Sequence, residues 1–384
     1  MKILHTSDWH IGKVLKGQSR AEEQIAVLAE IVQIAQAERP DLVIVAGDLY
    51  ENAAPTAEAT RVVTRALSAL RRTGADVIAI AGNHDNGAAL DALRPWADAA
   101  GITVRGTIRH AEDHLISGVT ASGEQWRCVA LPFLSQRHAI RAVEMFDLTG
   151  AEANQTYADH LRRLLAVLTE RFQPDAVNLI TAHLTVVGAV MGGGEREAHT
   201  IQAYAAPATL FGADAHYVAL GHLHRRQSVN APCPIHYSGS PIAIDFGEAE
   251  NTPAVLLVEV AKDMPAKVRE APLTKARRLR TVRGSLAELA ELAGSGEVEP
   301  DAWLRVQVVE RPRAGLREEV QELLPYALEV RIDPEVLADP GGAPRTARSG
   351  RSPRELFSAY LAEHGHDDPA VRQLFDQLYA EVEQ

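Results

Sequence analysis

At 384 residues, 46% apolar and 23% charged, the chain has the length for two or three domains and an ordinary water-soluble composition. A formal charge of −12 speaks against a general nucleic-acid binder, since phosphate is met by Lys and Arg, and no apolar run approaches the roughly 20 residues that cross a bilayer. Two cysteines, Cys128 and Cys233, are too few for a disulfide framework; they fit a reducing, cytoplasmic setting, and Met1-Lys2 leads into a strand with no room for a secretory leader.

The first predicted strand, 3–7, runs into Asp8-Trp9-His10 and a loop carrying Lys13 and Lys16. A helix over 20–38 follows, with Ile25, Leu28 and Val32 at helical spacing and Pro40 as its stop. The apolar strand 42–46 ends at Gly47-Asp48, and the helix 56–73 carries Val63, Leu67 and Leu70 on one face. Strand 78–81 ends at Gly82-Asn83-His84-Asp85, before a helix around Leu90 and Leu93. This alternation predicts right-handed crossovers and a largely parallel sheet. A hairpin over 114–119 and 126–132 turns at Ser122-Gly123, and a helix over 152–172 carries Leu161, Leu164, Leu165, Leu168 and Phe172. Strand 177–182 stops at His183 and strand 217–220 at Gly221-His222-Leu223-His224; further strands are expected at 235–238, 254–260 and 267–273. Residues 1–274 therefore read as a two-sheet α/β/β/α sandwich whose polar strand ends meet at one edge.

Beyond 274 the pattern changes. Strand 277–282, helix 286–292 capped by Ser285, strand 303–309, helix 316–324 and strand 328–332 make a small α+β capping domain over 275–335. The stretch 336–354, with Asp339-Pro340-Gly341-Gly342-Ala343-Pro344, reads as a flexible linker, and 355–384 as a helical tail. Positive charge gathers at Lys275, Arg277, Arg278, Arg280 and Arg283, and again at Arg345, Arg348, Arg351 and Arg354, the second group being solvated linker.

Alone, a His at a strand end is more often a hydrogen-bonded core residue than a ligand, and Gly-Asp is commonly a turn. The joint pattern offers Asp8, His10, Asp48, Asn83, His183, His222 and His224 as ligands. Mixed oxygen and imidazole donors suit Mn²⁺, Fe²⁺ or Zn²⁺. Seven donors exceed one ion's needs, whereas two ions roughly 3.5–4 Å apart share a bridging carboxylate and clamp a phosphate; Asp48 is the natural bridge. His84 cannot point with Asn83 and is read as proton donor or transition-state contact, with Asp85 fixing its tautomer.

Asp8-x-His10, Gly47-Asp48, Gly82-Asn83-His84-Asp85, Ala182-His183 and Gly221-His222-Leu223-His224 resemble, in order, the five motifs of the calcineurin-like metallophosphoesterases. Within that superfamily, residues 3–12 and Tyr237-Ser238-Gly239-Ser240-Pro241 are similar to the SbcD family of bacterial double-strand-break repair nucleases. The resemblance covers 1 to about 250 strongly and implies a Mn²⁺-dependent exo- and endonuclease, with Mg²⁺, Fe²⁺ or Zn²⁺ as alternative ions, acting with the SbcC ATPase on duplex ends, hairpins and single strands. It implies one ion at Asp8, His10, Asp48 and His224, and another at Asp48, Asn83, His183 and His222. His84 takes the proton-donor role, supported by Asp85. Glu51 departs from the Asp that many superfamily members carry there. A homodimer built on helices after the second and third ligand-bearing strands is also implied, with Val62, Leu67, Leu90 and Leu93 as apolar candidates, each of which fits a core position equally well.

Two other classes compete. A small-substrate phosphatase or cyclic nucleotide phosphodiesterase suits the net charge, and a scaffold with a dead site is opposed by the complete ligand set. Duplex DNA would need local positive charge, for which Lys13, Lys16, Arg277, Arg278 and Arg280 are the candidates. In the tail, Leu356, Phe357, Tyr360 and Leu361 line one helix, and Val371, Leu374, Phe375, Leu378, Tyr379 and Val382 another. These stripes either fold back on the nuclease core or dock onto helices of the ATPase partner.

Overall fold

Strand residues that are apolar on both sides have nowhere to go but between two layers, and such runs recur along this chain. The computed structural model describes residues 1–135, 157–193, 205–337, 357, 358, 360, 361 and 369–382. Contacts group the chain into two units, Met1–Val308 with Arg313–Arg331, and Val309–Pro312 with Ile332–Gln384.

In the first unit the main strands are β1 (Lys2–Thr6), β2 (Leu42–Val45), β3 (Asp76–Ile80), β4 (Ile102–Arg105), β5 (Leu115–Val119), β6 (Gln125–Leu131), β7 (Val177–His183), β8 (Tyr217–Gly221), β9 (Gln227–Val229), β10 (Ile235–Tyr237), β11 (Ala254–Ala261) and β12 (Met264–Pro272). They form two six-stranded sheets, in the orders β12-β11-β1-β2-β3-β4 and β9-β10-β8-β7-β6-β5. Four parallel strands lie within each sheet, β1 to β4 in one and β6, β7, β8 and β10 in the other, with antiparallel strands at the margins. Alternate residues divide three cores between them. Ile3, Ile44, Ile78, Cys128, Leu179, Tyr217 and Val258 pack between the sheets. Leu4, Val43, Val45, Val77 and Ala79 face helices α1 (Ala21–Glu38) and α2 (Ala57–Arg71), while Val129, Ile180, Val218 and Tyr237 face α3 (Tyr157–Thr169). The α/β/β/α sandwich is thus four layers with an internal period of two.

Three details differ from the sequence reading, and a fourth chooses between its alternatives. Strand β4 and edge strand β9 emerge from stretches in which Thr, Arg or Gln interrupts the apolar run. The helix around Leu90 is two short helices, Gly87–Ala92 and Arg94–Ala99, because Pro95 favours a new first turn. On α1, Ile25 is exposed and Gln24 is buried instead, its amide donating to the Trp9 and His10 carbonyls. The dimer candidates Leu67 and Leu90 belong to the core under the first sheet, with Val62 and Leu93 half-buried against it.

Three further strands, Leu279–Gly284, Trp303–Val308 and Ala327–Ile332, form a small sheet with helices Leu286–Ser295 and Leu316–Leu323 between them. The first helix starts on a full capping box from Ser285 and Glu288. Arg20, fully buried, pairs with Glu23 through two bonds of 2.6 Å; Glu23 also accepts the Arg277 N–H at 2.8 Å, tying α1 to this sheet's leading edge. In the second unit, helix Pro369–Val382 carries Phe375 stacked on Phe357 at 4.1 Å between ring centroids. The expected linker lies mostly outside the described residues, as do Leu356 and Arg345, Arg348, Arg351 and Arg354. Among the described residues no helix is long and apolar enough to cross a membrane. Both cysteines are buried and free.

Candidate metal centre

The strand order sets β1, β2 and β3 side by side in one sheet and β7 beside β8 in the other, so the chain leaves five strand ends at one edge of the sandwich. Tight backbone turns aim the side chains there. Asp8, His10 and Asp48 have φ of 54°, 47° and 51°, and His222 has 101°, a region that non-glycine residues seldom adopt. Two glycines give the ligands room: a Cβ on Gly82 would sit 2.1 Å from Asp48 Oδ1, and one on Gly47 would sit 2.2 Å from His183 Nδ1.

All seven predicted ligands come together, and all but Asn83 are nearly fully buried. Asp48 Oδ2 lies 3.7 Å from His10 Nε2 and 3.3 Å from His183 Nε2. His10 and His224 bring their Nε2 atoms within 3.1 Å. On the other side, Asn83 Oδ1 lies 2.9 Å from His183 Nε2 and 2.8 Å from His222 Nδ1. Asp8 accepts the His222 backbone N–H at 3.0 Å and the Ser7 hydroxyl at 2.5 Å. Three groups have metal-ligand spacing: Asp8, His10 and His224; Asp48, His183 and His222; and His10, Asp48 and His84.

Burial raises the Asp8 carboxyl to about 6 and that of Asp85 to about 7; the Asp48 charge adds to both, while His183 and His224 draw Asp8 back. Asp48 goes the other way: burial opposes its charge, but His183, His10 and His84 hold it well below the usual range. Burial pulls the His10 ring down to about 4 against Glu51 and Asp48. His183 rises to about 9, because Asp48 and Asp8 outweigh the burial that works against its charge. Crowded carboxylates, with imidazole lone pairs converging on the same points, fit divalent cations: the cation offsets their repulsion, and the donor types are those of Mn²⁺, Fe²⁺ or Zn²⁺.

His84 is buried beside this group, its ring 4.5 Å from that of His10 and its backbone N–H donating to Asp48 Oδ1 at 2.8 Å. Its Nδ1 lies 2.9 Å from the Glu51 carbonyl oxygen. The expected pairing with Asp85 is corrected here. Asp85 accepts backbone N–H groups of Leu49, Tyr50 and Gly82 at 3.1, 2.9 and 2.8 Å, and so joins the second and third ligand loops. Two glutamate contacts are not legible in the sequence. Glu51 approaches His10 Nδ1 and Glu248 approaches His224 Nδ1, contacts that no local spacing announces. The lysines assigned to DNA are partnered, Lys13 with Glu51 at 3.0 Å and Lys16 with Glu329 at 3.3 Å. Arg280 pairs with Glu299, and the Arg277 guanidinium lies over the Trp303 ring at 4.7 Å.

Comparison with known proteins finds a calcineurin-like phosphoesterase family model over residues 1–226. A second model, described as the type 5 capsule protein repressor C-terminal domain, matches residues 275–365. The chain is 34% identical over 314 residues to the SbcD subunit of nuclease SbcCD from Bacillus subtilis (strain 168), covering 80% of this chain and 79% of that protein. It is 32% identical over 323 residues to the corresponding SbcCD nuclease subunit of Escherichia coli (strain K12), covering 80% and 78%.

Proposed function

The chain belongs to the calcineurin-like phosphoesterases, in the SbcD group of that family, and from that premise we propose that it hydrolyses phosphodiester bonds in DNA at a two-ion centre. The observation that carries the chemistry is Asp48, whose Oδ2 faces His10 on one side and His183 on the other, as a bridging carboxylate must. Asp8, His10, Asp48 and His224 would hold one ion, and Asp48, Asn83, His183 and His222 the other. Ions held there would supply charge stabilisation on the phosphate and activation of a water for in-line attack. We assign His84 to proton transfer: Nδ1–H donates to the Glu51 carbonyl, and the ring, protonated at both nitrogens, would give its Nε2 proton to the leaving oxygen and become the neutral Nδ1–H form. Asp85 acts on geometry, holding the loop that presents Asn83 and His84.

Exonucleolytic and endonucleolytic cleavage, Mn²⁺ as the working ion, a homodimer, and an SbcC-type ATPase partner bound through the tail complete the reading; similarity to the SbcCD nucleases supports it. The division that goes with this reading is a core over 1–274, a cap over 275–335, a linker over 336–354 and a docking segment over 355–384. DNA contact is assigned to the exposed Lys275 and Arg278 beside the stacked Arg277, rather than to the paired Lys13 and Lys16. Neutralising Lys275 and Arg278 should flatten the salt dependence of duplex binding by about one unit of slope per lost contact.

The direct test is cleavage of linear duplex DNA by the purified chain with Mn²⁺, set beside a small phosphodiester such as bis-p-nitrophenyl phosphate. Cleavage of the small ester alone would favour the small-substrate phosphoesterase. His84→Ala should abolish cleavage while two ions remain bound, whereas Asp48→Ala should empty both positions. Loss of ions in His84→Ala would make His84 a ligand, which its spacing to His10 and Asp48 also permits.

A further inference from the structure

The small sheet touches the loop that backs one of the site's imidazoles. Its middle strand, Trp303–Val308, carries Arg305, whose guanidinium carbon lies 4.6 Å from the centre of the Phe246 ring. Glu329 on the neighbouring strand fixes that guanidinium, accepting from Nε at 2.6 Å, and Asp245 lies 4.0 Å from its Nη2. Phe246 is buried in one cluster with Leu15, Ala243, Leu279 and Trp303, which joins the sandwich to the small sheet. A guanidinium over an aromatic face is held by charge as well as by contact.

Two residues beyond Phe246 stands Glu248, in the same tight turn. Asp245 closes that turn: its carbonyl accepts the Glu248 N–H at 2.9 Å, and its carboxylate accepts the Gly247 N–H at 3.1 Å. With the backbone pinned there, the buried Glu248 side chain is set as well. Its Oε1 lies 2.7 Å from His224 Nδ1, and its Oε2 accepts the Ile244 N–H at 2.7 Å. A carboxylate accepts, so it keeps the ring proton on Nδ1 and leaves the Nε2 lone pair facing His10 Nε2, 3.1 Å away. The path from Arg305 to His224 is continuous: a stacked ring, one turn of backbone, one hydrogen bond.

We propose that Arg305 is a positioning residue for His224, acting from the small sheet through Phe246 and Glu248. The proposal rests on the reading of His224 as a metal ligand, and it makes the small sheet part of the centre's support. Loss of the guanidinium frees the 245–248 turn, so that Glu248 no longer holds His224 in the Nδ1–H form. Charge alone would act in the opposite direction. Arg305 repels a divalent cation, and removing it would tighten metal binding if Coulomb repulsion were its whole effect.

The experiment is Mn²⁺ titration of the full chain by calorimetry, together with ring-nitrogen NMR of labelled histidine in the metal-free protein. The His224 signals are identified by their loss in His224→Gln. Arg305→Ala should weaken Mn²⁺ binding about tenfold, the lower end of the loss when a ligand's own hydrogen-bond partner is removed. It should also shift the His224 ring away from the Nδ1–H form. Arg305→Lys, which keeps a cation over the ring, should recover part of both. Arg313→Ala removes the same charge from an exposed pair with Glu319 in the small domain and should change neither. Unchanged or tighter Mn²⁺ binding in Arg305→Ala, an unaltered His224 tautomer, or an equal effect of Arg313→Ala would overturn the proposal. Wild type that binds no Mn²⁺ would overturn the metal reading instead, and the tautomer would still decide the path from Arg305 to His224. If Arg305→Ala does not fold, Phe246→Leu carries the test, with the same two changes expected.

Discussion

Asp8, His10 and Asp48 hold a left-handed backbone that costs a non-glycine residue about 1–2 kcal/mol each. The surrounding structure enforces it: the Asp8 N–H bonds the Gly47 carbonyl at 2.9 Å, and the His10 N–H bonds the Asp48 carbonyl at 3.0 Å. Strain of this kind gathers where side chains must be aimed rather than packed. Gly82 belongs to the same device, since its missing side chain leaves the space that Asp48 fills. Gly82→Ala should therefore displace Asp48, lower bound Mn²⁺ below the wild-type count, and cost about 1–3 kcal/mol by overpacking. Metal analysis after dialysis and urea unfolding read the two effects. Full metal binding in that variant would mean that Asp48 does not bridge. The residues gathered at the candidate site were legible in sequence because a buried strand leaves an apolar run that stops abruptly at polar residues. The partners of those residues were not, because a bond such as His224 to Glu248 joins loops whose spacing carries no period.

At the scale of elements, the same contrast separates what repetition reveals from what tertiary contact decides. The helix at 21–38 was visible as a period, yet the period chose Ile25 for an inner position that Gln24 occupies, because backbone carbonyls near His10 needed a donor. Charges likewise read as exposed DNA contacts until their partners are known. Glu329 is the clearest case: it receives Arg305 at 2.6 Å, Arg331 at 2.5 Å and Lys16 at 3.3 Å, joining the loop after the first strand to the small sheet. Burial opposes ionisation of Glu329, but Arg305, Arg331 and Lys16 win and hold it at about 2. Because the folded value is lower than the ordinary 4.5, this carboxylate stabilises the fold fully above about pH 5. That contribution falls away as pH drops toward 2. Glu329→Gln should thus be less stable than wild type at pH 7, and the gap should close by about pH 2–3. Chemical denaturation across that range measures it, and a gap independent of pH would show that packing, not charge, makes the contact.

Over the whole molecule, the centre and its three cores lie within the first unit, which buries sheet against sheet and helix against each outer face. The second unit has no comparable interior among its described residues. Phe375 stacks on Phe357 and on Tyr379, while Tyr360, Val371 and Leu374 are 53%, 40% and 55% exposed. Large side chains left in water on an amphipathic helix are what a partner's groove recognises. The tail's apolar periodicity was plain in sequence, but periodicity cannot say whether a stripe meets its own core or another protein. Exposure of those residues favours the second alternative. Truncation after Ala338 should leave the metal count, the Mn²⁺-dependent cleavage and the unfolding midpoint of the first unit unchanged. It should remove association with an SbcC-type ATPase, measured by co-purification and by analytical ultracentrifugation. Replacing Val371 and Leu374 with Asp in the full chain should give the same loss at a smaller perturbation. Undiminished association in both variants would place the docking surface on the first unit, and loss of its folding on truncation would make the tail part of the enzyme's own core.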